Sequence, residues 1–312
     1  MSPTIKIPDT HLESMSICNE CGIVSLSGKR TSVIVKYNGD LRIVQRILDE
    51  HPEESFECSE ILKMEDDVFL VLGGRLGVIK ILNLSKGMFT GYIRAHGGSI
   101  SAIKGYKDRY VLSCSEDTTV KMWDISEMKC VCVFGGYMGH RDHVLSIDIS
   151  GDLRYLASGG TDCSIMVWRI PSFPNKLECV TPVYSSTRNH RFPVQCVRFY
   201  GELLVSYSGE GRICAILPKY GEARPSLEET IVGEIKLQNK LLRKFDVCGD
   251  MLVALLESQD IVTFNLSNIE SPSQSTILKS IRGKRVQDFC VAEDKILVLL
   301  ENSCLMVMAI SW

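Results

Sequence analysis

His140, Ser158 and Asp162 are the residue types of a nucleophilic triad: a serine hydroxyl, an imidazole to take its proton, and a carboxylate to orient the ring. His140 also opens the run GHRDH, which sets Asp142 and His143 beside it. The same types recur at His96, Ser113 and Asp117, and each set is followed by a tryptophan, Trp123 or Trp168. Acyl transfer needs one accessible nucleophile beside an oxyanion hole, and duplication of the whole set in neighbouring segments argues against that use. The repeated His, Ser, Asp and Trp are instead expected to form hydrogen-bonded chains that satisfy their own polar groups. The expectation is that the chain is not an enzyme.

The elements that hold these residues form a repeat. RYVLSCSEDTTVKMWDI, from Arg109, and RYLASGGTDCSIMVWRI, from Arg154, superimpose at an offset of 45 residues. Helical periodicity is nearly absent, and short runs rich in Val, Ile, Leu and Phe alternate with turn clusters, as in an all-β protein. A repeat of this length with His before the first strand and Trp in the third is the WD pattern, one four-stranded propeller blade per repeat. The 312 residues hold about seven such units, so residues 1–312 are expected to form a single seven-bladed β-propeller. Weaker echoes mark blades from Phe56, in the last two segments and from Pro193, and in the Pro193 segment Glu210 stands in place of the turn Asp and Ile216 in place of Trp. The last segment has three strands, so TIKIPDTHL near the N-terminus is expected to supply the fourth and close the ring.

Composition narrows the function further. A net charge of −3 gives no polyanion-binding footprint, so direct nucleic-acid binding is not expected. Thirteen cysteines, an odd number scattered singly among apolar positions, read as reduced buried thiols. The one C-x-x-C, Cys18 to Cys21, has no second pair at zinc spacing, so no metal and no cofactor are expected. No signal peptide is expected at the N-terminus, and no run reaches the ~18 apolar residues of a membrane span. GGRLG, from Gly73, lies between two strands and precedes no helix, so it reads as a hairpin turn and not a phosphate loop. Tyr184 to Pro193 is expected to be an inter-blade loop.

Several stretches are less generic. VFGGYMGHRDHVLSIDI, GGRLGVIKILN and VQCVRFYGELLVSYSGEGRI resemble, in order and spacing, segments of the Polycomb EED, or extra sex combs, family. The resemblance runs from about Gly22 to Trp312, is most specific from Gly73 to Arg169 and fades in the last two blades. It implies a minimal, divergent member without that family's N-terminal extension. It further implies a nuclear scaffold subunit of Polycomb repressive complex 2, a chromatin regulator acting in transcription repression. In that family one propeller face clasps a helix of the SET-domain histone methyltransferase. The other reads a trimethyl-lysine of the histone H3 tail through an aromatic cage. The alternative is a WD-repeat adaptor of another assembly, such as a ubiquitin-ligase substrate receptor.

Carried over residue by residue, the cage mostly fails. Phe56 lies at one wall, but the aligned position is Glu57; two further walls fall on Leu241 and Leu242. Ser101, Glu116, Thr161 and Arg243 map around the same face, Glu116 where the family carries a basic residue. A cage works by cation–π attraction, so its loss implies weak or absent trimethyl-lysine binding. On the opposite face, Met88, Met128 and Phe173 are the candidates to receive the apolar side of a partner helix.

Overall fold

The computed structural model describes residues 3–8, 10–172, 177–220, 231–237, 241–269, 274–278, 284–292 and 295–309. Its regular elements are strands, arranged as seven sheets around a central channel. A short strand β1 (Thr4–Lys6) precedes the first blade, which comprises β2 (Leu12–Cys18), β3 (Ile23–Gly28), β4 (Thr31–Lys36) and β5 (Arg42–Leu48). The second has β6 (Phe56–Met64), β7 (Asp67–Gly74), β8 (Val78–Asn83) and β9 (Met88–Arg94). The third has β10 (Ile100–Tyr106), β11 (Tyr110–Ser115), β12 (Val120–Asp124) and β13 (Lys129–Phe134). The fourth has β14 (Val144–Ile149), β15 (Tyr155–Gly160) and β16 (Ile165–Arg169); β17 (Glu178–Val180) intervenes before its outer strand β18 (Pro182–Ser186). The fifth has β19 (Val194–Tyr200), β20 (Leu203–Ser208), β21 (Arg212–Ile216) and β22 (Ile231–Lys236). The sixth has β23 (Leu242–Cys248), β24 (Met251–Leu256), β25 (Ile261–Asn265) and β26 (Gln274–Leu278). The seventh has β27 (Val286–Ala292), β28 (Lys295–Leu300) and β29 (Cys304–Ala309), and β1 lies antiparallel to β29 with Ile5 opposite Leu305.

Strand burial explains the sequence pattern. Middle strands such as β7 and β28 lie between neighbouring blades and are buried on both faces, so they read as continuous apolar runs. The outer strand β5 alternates exposed and half-buried residues along its whole length. The core is therefore seven wedges, each filled from two adjacent blades. Phe134 and Trp168 meet edge to face, ring centroids 6.0 Å apart, in the wedge between the third and fourth blades. Leu26 and Leu299 share the wedge that spans the seam between first and last.

Of two local expectations, the loop is overturned and the hairpin turn is found as expected. Tyr184–Pro193 is not a free inter-blade loop: Pro182–Ser186 forms β18, and Asn189 and His190 are buried. The chain before it adds β17 in parallel to β13, with Val133 opposite Cys179, as a fifth strand on the third blade. The GGRLG segment joins β7 to β8 as a tight turn, closed by the Gly77 N–H donating to the Gly74 carbonyl at 3.1 Å. Glycine is required at 74 because a Cβ would lie 1.9 Å from the Ser55 carbonyl oxygen, and at 77 because φ is +68°.

Candidate functional site: the polar quartets and the mouth of the channel

The quartets are assembled in the third and fourth blades. Trp123 Nε1–H donates to Ser113 Oγ at 2.9 Å, and that oxygen lies 2.8 Å from His96 Nε2; His96 Nδ1 lies 2.9 Å from Asp117 Oδ2. In the next blade Trp168 Nε1–H donates to Ser158 Oγ at 2.9 Å, with 2.8 Å from Ser158 Oγ to His140 Nε2 and 3.0 Å from His140 Nδ1 to Asp162 Oδ2. A neutral imidazole carrying its proton on Nδ1 satisfies every partner in the chain. Burial by itself would raise the Asp117 and Asp162 carboxyls, but hydrogen bonds from His96 and Thr119, and from His140 and Ser164, hold both well below the usual carboxylate range. Ser113 and Ser158 are fully buried, and each oxygen is already engaged by an indole and an imidazole. Neither has the access that a nucleophile needs. Asp142 and His143, the other candidates in GHRDH, are exposed and face each other at 3.6 Å outside the quartet.

The fifth blade holds a third set. His190 Nε2 lies 2.8 Å from Ser206 Oγ, and His190 Nδ1 lies 3.1 Å from Glu210 Oε1. Ile216 occupies the position of the indole and contributes no donor. The signal was present in the spacing, since His190 precedes Glu210 by nearly the interval that separates His96 from Asp117. Burial, opposed by Glu210, pushes the His190 imidazole down.

The inner strands β2, β6, β10, β14, β19, β23 and β27 line a channel of 450 Å³. Each carries a register shift at its second or third residue. A bulge there re-aims one side chain per blade. Those side chains are Glu13, Glu57, Ser101, Leu145, Gln195, Arg243 and Gln287, and all of them line the channel. Deeper in, acid and base alternate around the ring. Lys104 lies 3.8 Å from Asp148, Arg198 2.9 Å from Asp246, and Lys244 2.7 Å from Asp288. Burial alone would lift the Asp246 carboxyl, but Arg198, Lys104 and Lys244 pull it down. Glu60 is raised, because burial outweighs the nearby Lys104 and the Gly105 N–H bond at 3.1 Å.

This geometry sorts the residues mapped to the histone-tail pocket. Glu57, Ser101 and Arg243 line the channel. Glu116 stands on the turn of the third blade, where its Oε2 accepts the Ser99 N–H at 3.4 Å. Thr161 is tied by its N–H to the His143 carbonyl at 2.9 Å in the fourth. Phe56 and Leu242 are not walls. Each precedes a bulge and so faces inward between blades: Phe56 packs in the wedge shared with Ile34, and Leu242 in that shared with Tyr207. Leu241 is exposed just before β23. No aromatic side chain is among the residues lining the channel.

On the side of the turns joining third to fourth strands, Met88 is 57% exposed, whereas Met128 packs against Gly91 of the neighbouring blade. Phe173 lies outside the described residues. A groove of 810 Å³ between β5 and β9 was not anticipated; Leu48, Phe89 and Tyr92 line it with large exposed surfaces. These side chains sit on outer strands, where apolar residues are indistinguishable in sequence from half-buried ones. Among the described residues no group of three or more His, Cys, Asp or Glu is placed to hold a metal ion.

Residues 87–124 and 128–169 match the WD domain, G-beta repeat family. The Polycomb protein EED of Chaetomium thermophilum is 32% identical over 176 residues, 53% of this chain and 31% of that protein. The Polycomb protein esc of Drosophila melanogaster is 30% identical over 216 residues, 61% of this chain and 50% of that one. The chain thus spans between about a third and a half of these relatives' lengths. The fold matches a chain in the crystal structure of an active polycomb repressive complex 2 in the basal state, with a TM-score of 0.82, 16% identity, and coverage of 100% of this chain and 97% of that one. A chain of the Chaetomium thermophilum Polycomb Repressive Complex 2 bound to GSK126 matches with a TM-score of 0.81 and 17% identity, covering 100% and 98%. This chain is a seven-bladed WD-repeat β-propeller similar to the Polycomb proteins named EED, esc and FIE.

Proposed function

We propose that the chain is a non-catalytic scaffold subunit of a Polycomb-type histone methyltransferase complex, acting in the nucleus. The similarity to EED and esc over more than half of the chain carries this reading. The buried, internally satisfied serines support a role without chemistry of its own. The groove of exposed Leu48, Phe89 and Tyr92, with Met88 exposed on the same outer strand β9, supports attachment to a protein partner, for which the SET-domain subunit is the reading, through an amphipathic helix. The absence of an aromatic side chain among the described residues lining the channel supports weak or absent trimethyl-lysine binding.

Affinity purification of the tagged chain from its own cells tests this. A SET-domain protein in the eluate, whose methyltransferase rate rises when the purified chain is added, is the expected result. Ubiquitin-ligase subunits in its place would assign the chain to a different assembly.

A further inference from the structure

Cys18 and Cys21 stand at a turn that the partner-binding reading does not use. Cys18 ends β2 opposite Ile23 of β3, so residues 19–22 form the turn between the two strands. The Gly22 N–H donates to the Asn19 carbonyl at 3.2 Å, and Gly22 takes a φ of +64° that favours glycine. Tyr37, just beyond β4, pins the turn from outside. Its N–H donates to the Gly22 carbonyl at 3.0 Å and its hydroxyl to Asn19 Oδ1 at 3.0 Å. A tight turn brings residues three apart within about 7 Å, and a disulfide bridges Cα atoms about 4.4–6.8 Å apart. The side chains meet as well: burial, followed by a hydrogen bond to Cys18, pushes the Cys21 thiol up to about 11. Both cysteines are half-buried, unlike Cys58, Cys114 and Cys214 inside the wedges. Cys18 also lines a recess of 330 Å³ beside Lys63 and Tyr106, which gives a small reagent a path to it without parting two blades.

We propose that Cys18 and Cys21 are a reversible oxidation site, closed to an intramolecular disulfide by exchange with a small disulfide such as glutathione disulfide. The Cys18 thiolate attacks one glutathione sulfur, forming a mixed disulfide and releasing one glutathione thiolate, which takes up the proton that Cys18 gave up. Cys21 then loses its proton and attacks the Cys18 sulfur. The second glutathione leaves and takes up that proton. Two protein thiols are oxidised, and one small disulfide is reduced to two thiols. Burial keeps Cys21 protonated, so it is the resolving and not the attacking thiol. This inference goes beyond the scaffold reading and does not depend on it.

The test equilibrates the reduced full chain with glutathione and glutathione disulfide, blocks the remaining thiols and reads the peptides by mass spectrometry. The expected product is a bridge between Cys18 and Cys21 that dithiothreitol reverses. Its equilibrium constant against glutathione is expected to exceed that of a synthetic peptide of residues 14–27 by about tenfold, because the fold holds the pair in place. Cys21→Ser is expected to stop at the mixed disulfide on Cys18, and Cys18→Ser to leave Cys21 without glutathione, with both unfolding transitions checked against the parent. The proposal is overturned by no bridge in the native chain, by an equilibrium constant equal to or below that of the peptide, or by glutathione collecting on Cys21 in Cys18→Ser and not on Cys18 in Cys21→Ser.

Discussion

The carboxylate of Asp288 accepts the backbone N–H of Met15 at 2.7 Å, across the seam where the last blade meets the first. The same pattern recurs inside the ring: Asp148 accepts the Phe199 N–H at 2.8 Å and Ser146 the Val197 N–H at 3.2 Å, each from one blade to the next. Inner strands thus exchange hydrogen bonds across wedges, and the channel's polar side chains hold adjoining blades in register.

Asp288→Ala is expected to destabilise the chain by about 1–3 kcal/mol, because it frees the buried Met15 N–H and removes the ion-pair partner of the half-buried Lys244. Asp288→Asn, which still offers an acceptor, should cost less. Chemical denaturation monitored by tryptophan fluorescence checks both. Equal stability of Asp288→Ala and the parent would remove the seam clasp from the account.

Ser158→Ala deletes one oxygen and orphans two buried groups, the Trp168 indole N–H and His140 Nε2. Ser206→Ala orphans His190 Nε2 and removes only a longer 3.5 Å bond to the Cys214 carbonyl, because Ile216 supplies no indole. Each orphaned group costs about 1–3 kcal/mol, so the fourth-blade variant is expected to lose that much more than the fifth-blade one. Parallel denaturation curves decide it, and equal losses would contradict the quartet as a chain of mutual dependence.

The repeat in the third and fourth blades was legible because tryptophan is rare, and Trp123 and Trp168 anchor the alignment of everything before them. The fifth-blade set was marked by spacing alone, because Ile216 and Glu210 differ from the pattern while the geometry of His190 and Ser206 survives. Phe56 and Leu242 were mapped to the pocket by the resemblance alone, and both are packed between blades instead. Strand alternation assigns faces by parity, and one bulge reverses the parity of everything that follows. The bulges after Phe56 and Leu242 aim Glu57 and Arg243 at the channel while leaving their neighbours in the core. No local residue pattern marks those bulges; their positions follow from packing seven inner strands around one axis.

Acidification should destabilise the fold in two stages. His190 has a folded pKa below its unfolded value near 6.5, so its contribution is complete above about pH 6.5 and is lost as pH falls toward the folded value. Asp117 and Asp162 are likewise depressed, so their stability is present above about pH 4 and is lost below it, toward the folded values. Glu60 acts in the opposite sense, since its raised carboxyl is relieved by protonation. The His190 stage is therefore read as a difference: stability of the parent minus that of His190→Gln should shrink as pH falls through about 6.5. A difference that is constant across this range would contradict it.

Thiol reactivity should follow burial. Cys114, Cys132, Cys214 and Cys290 are buried, and burial pushes each up to about 12, so little thiolate forms at neutral pH. Cys179, on the added strand β17, is the exposed cysteine. Brief treatment of the native chain with iodoacetamide is expected to modify Cys179 first, while the four buried thiols react only after unfolding. Peptide mass spectrometry reads the order. Early labelling of Cys114 or Cys214 in the native protein would mean that the wedges open, since reagent reaches those fully buried sulfurs only when two blades separate.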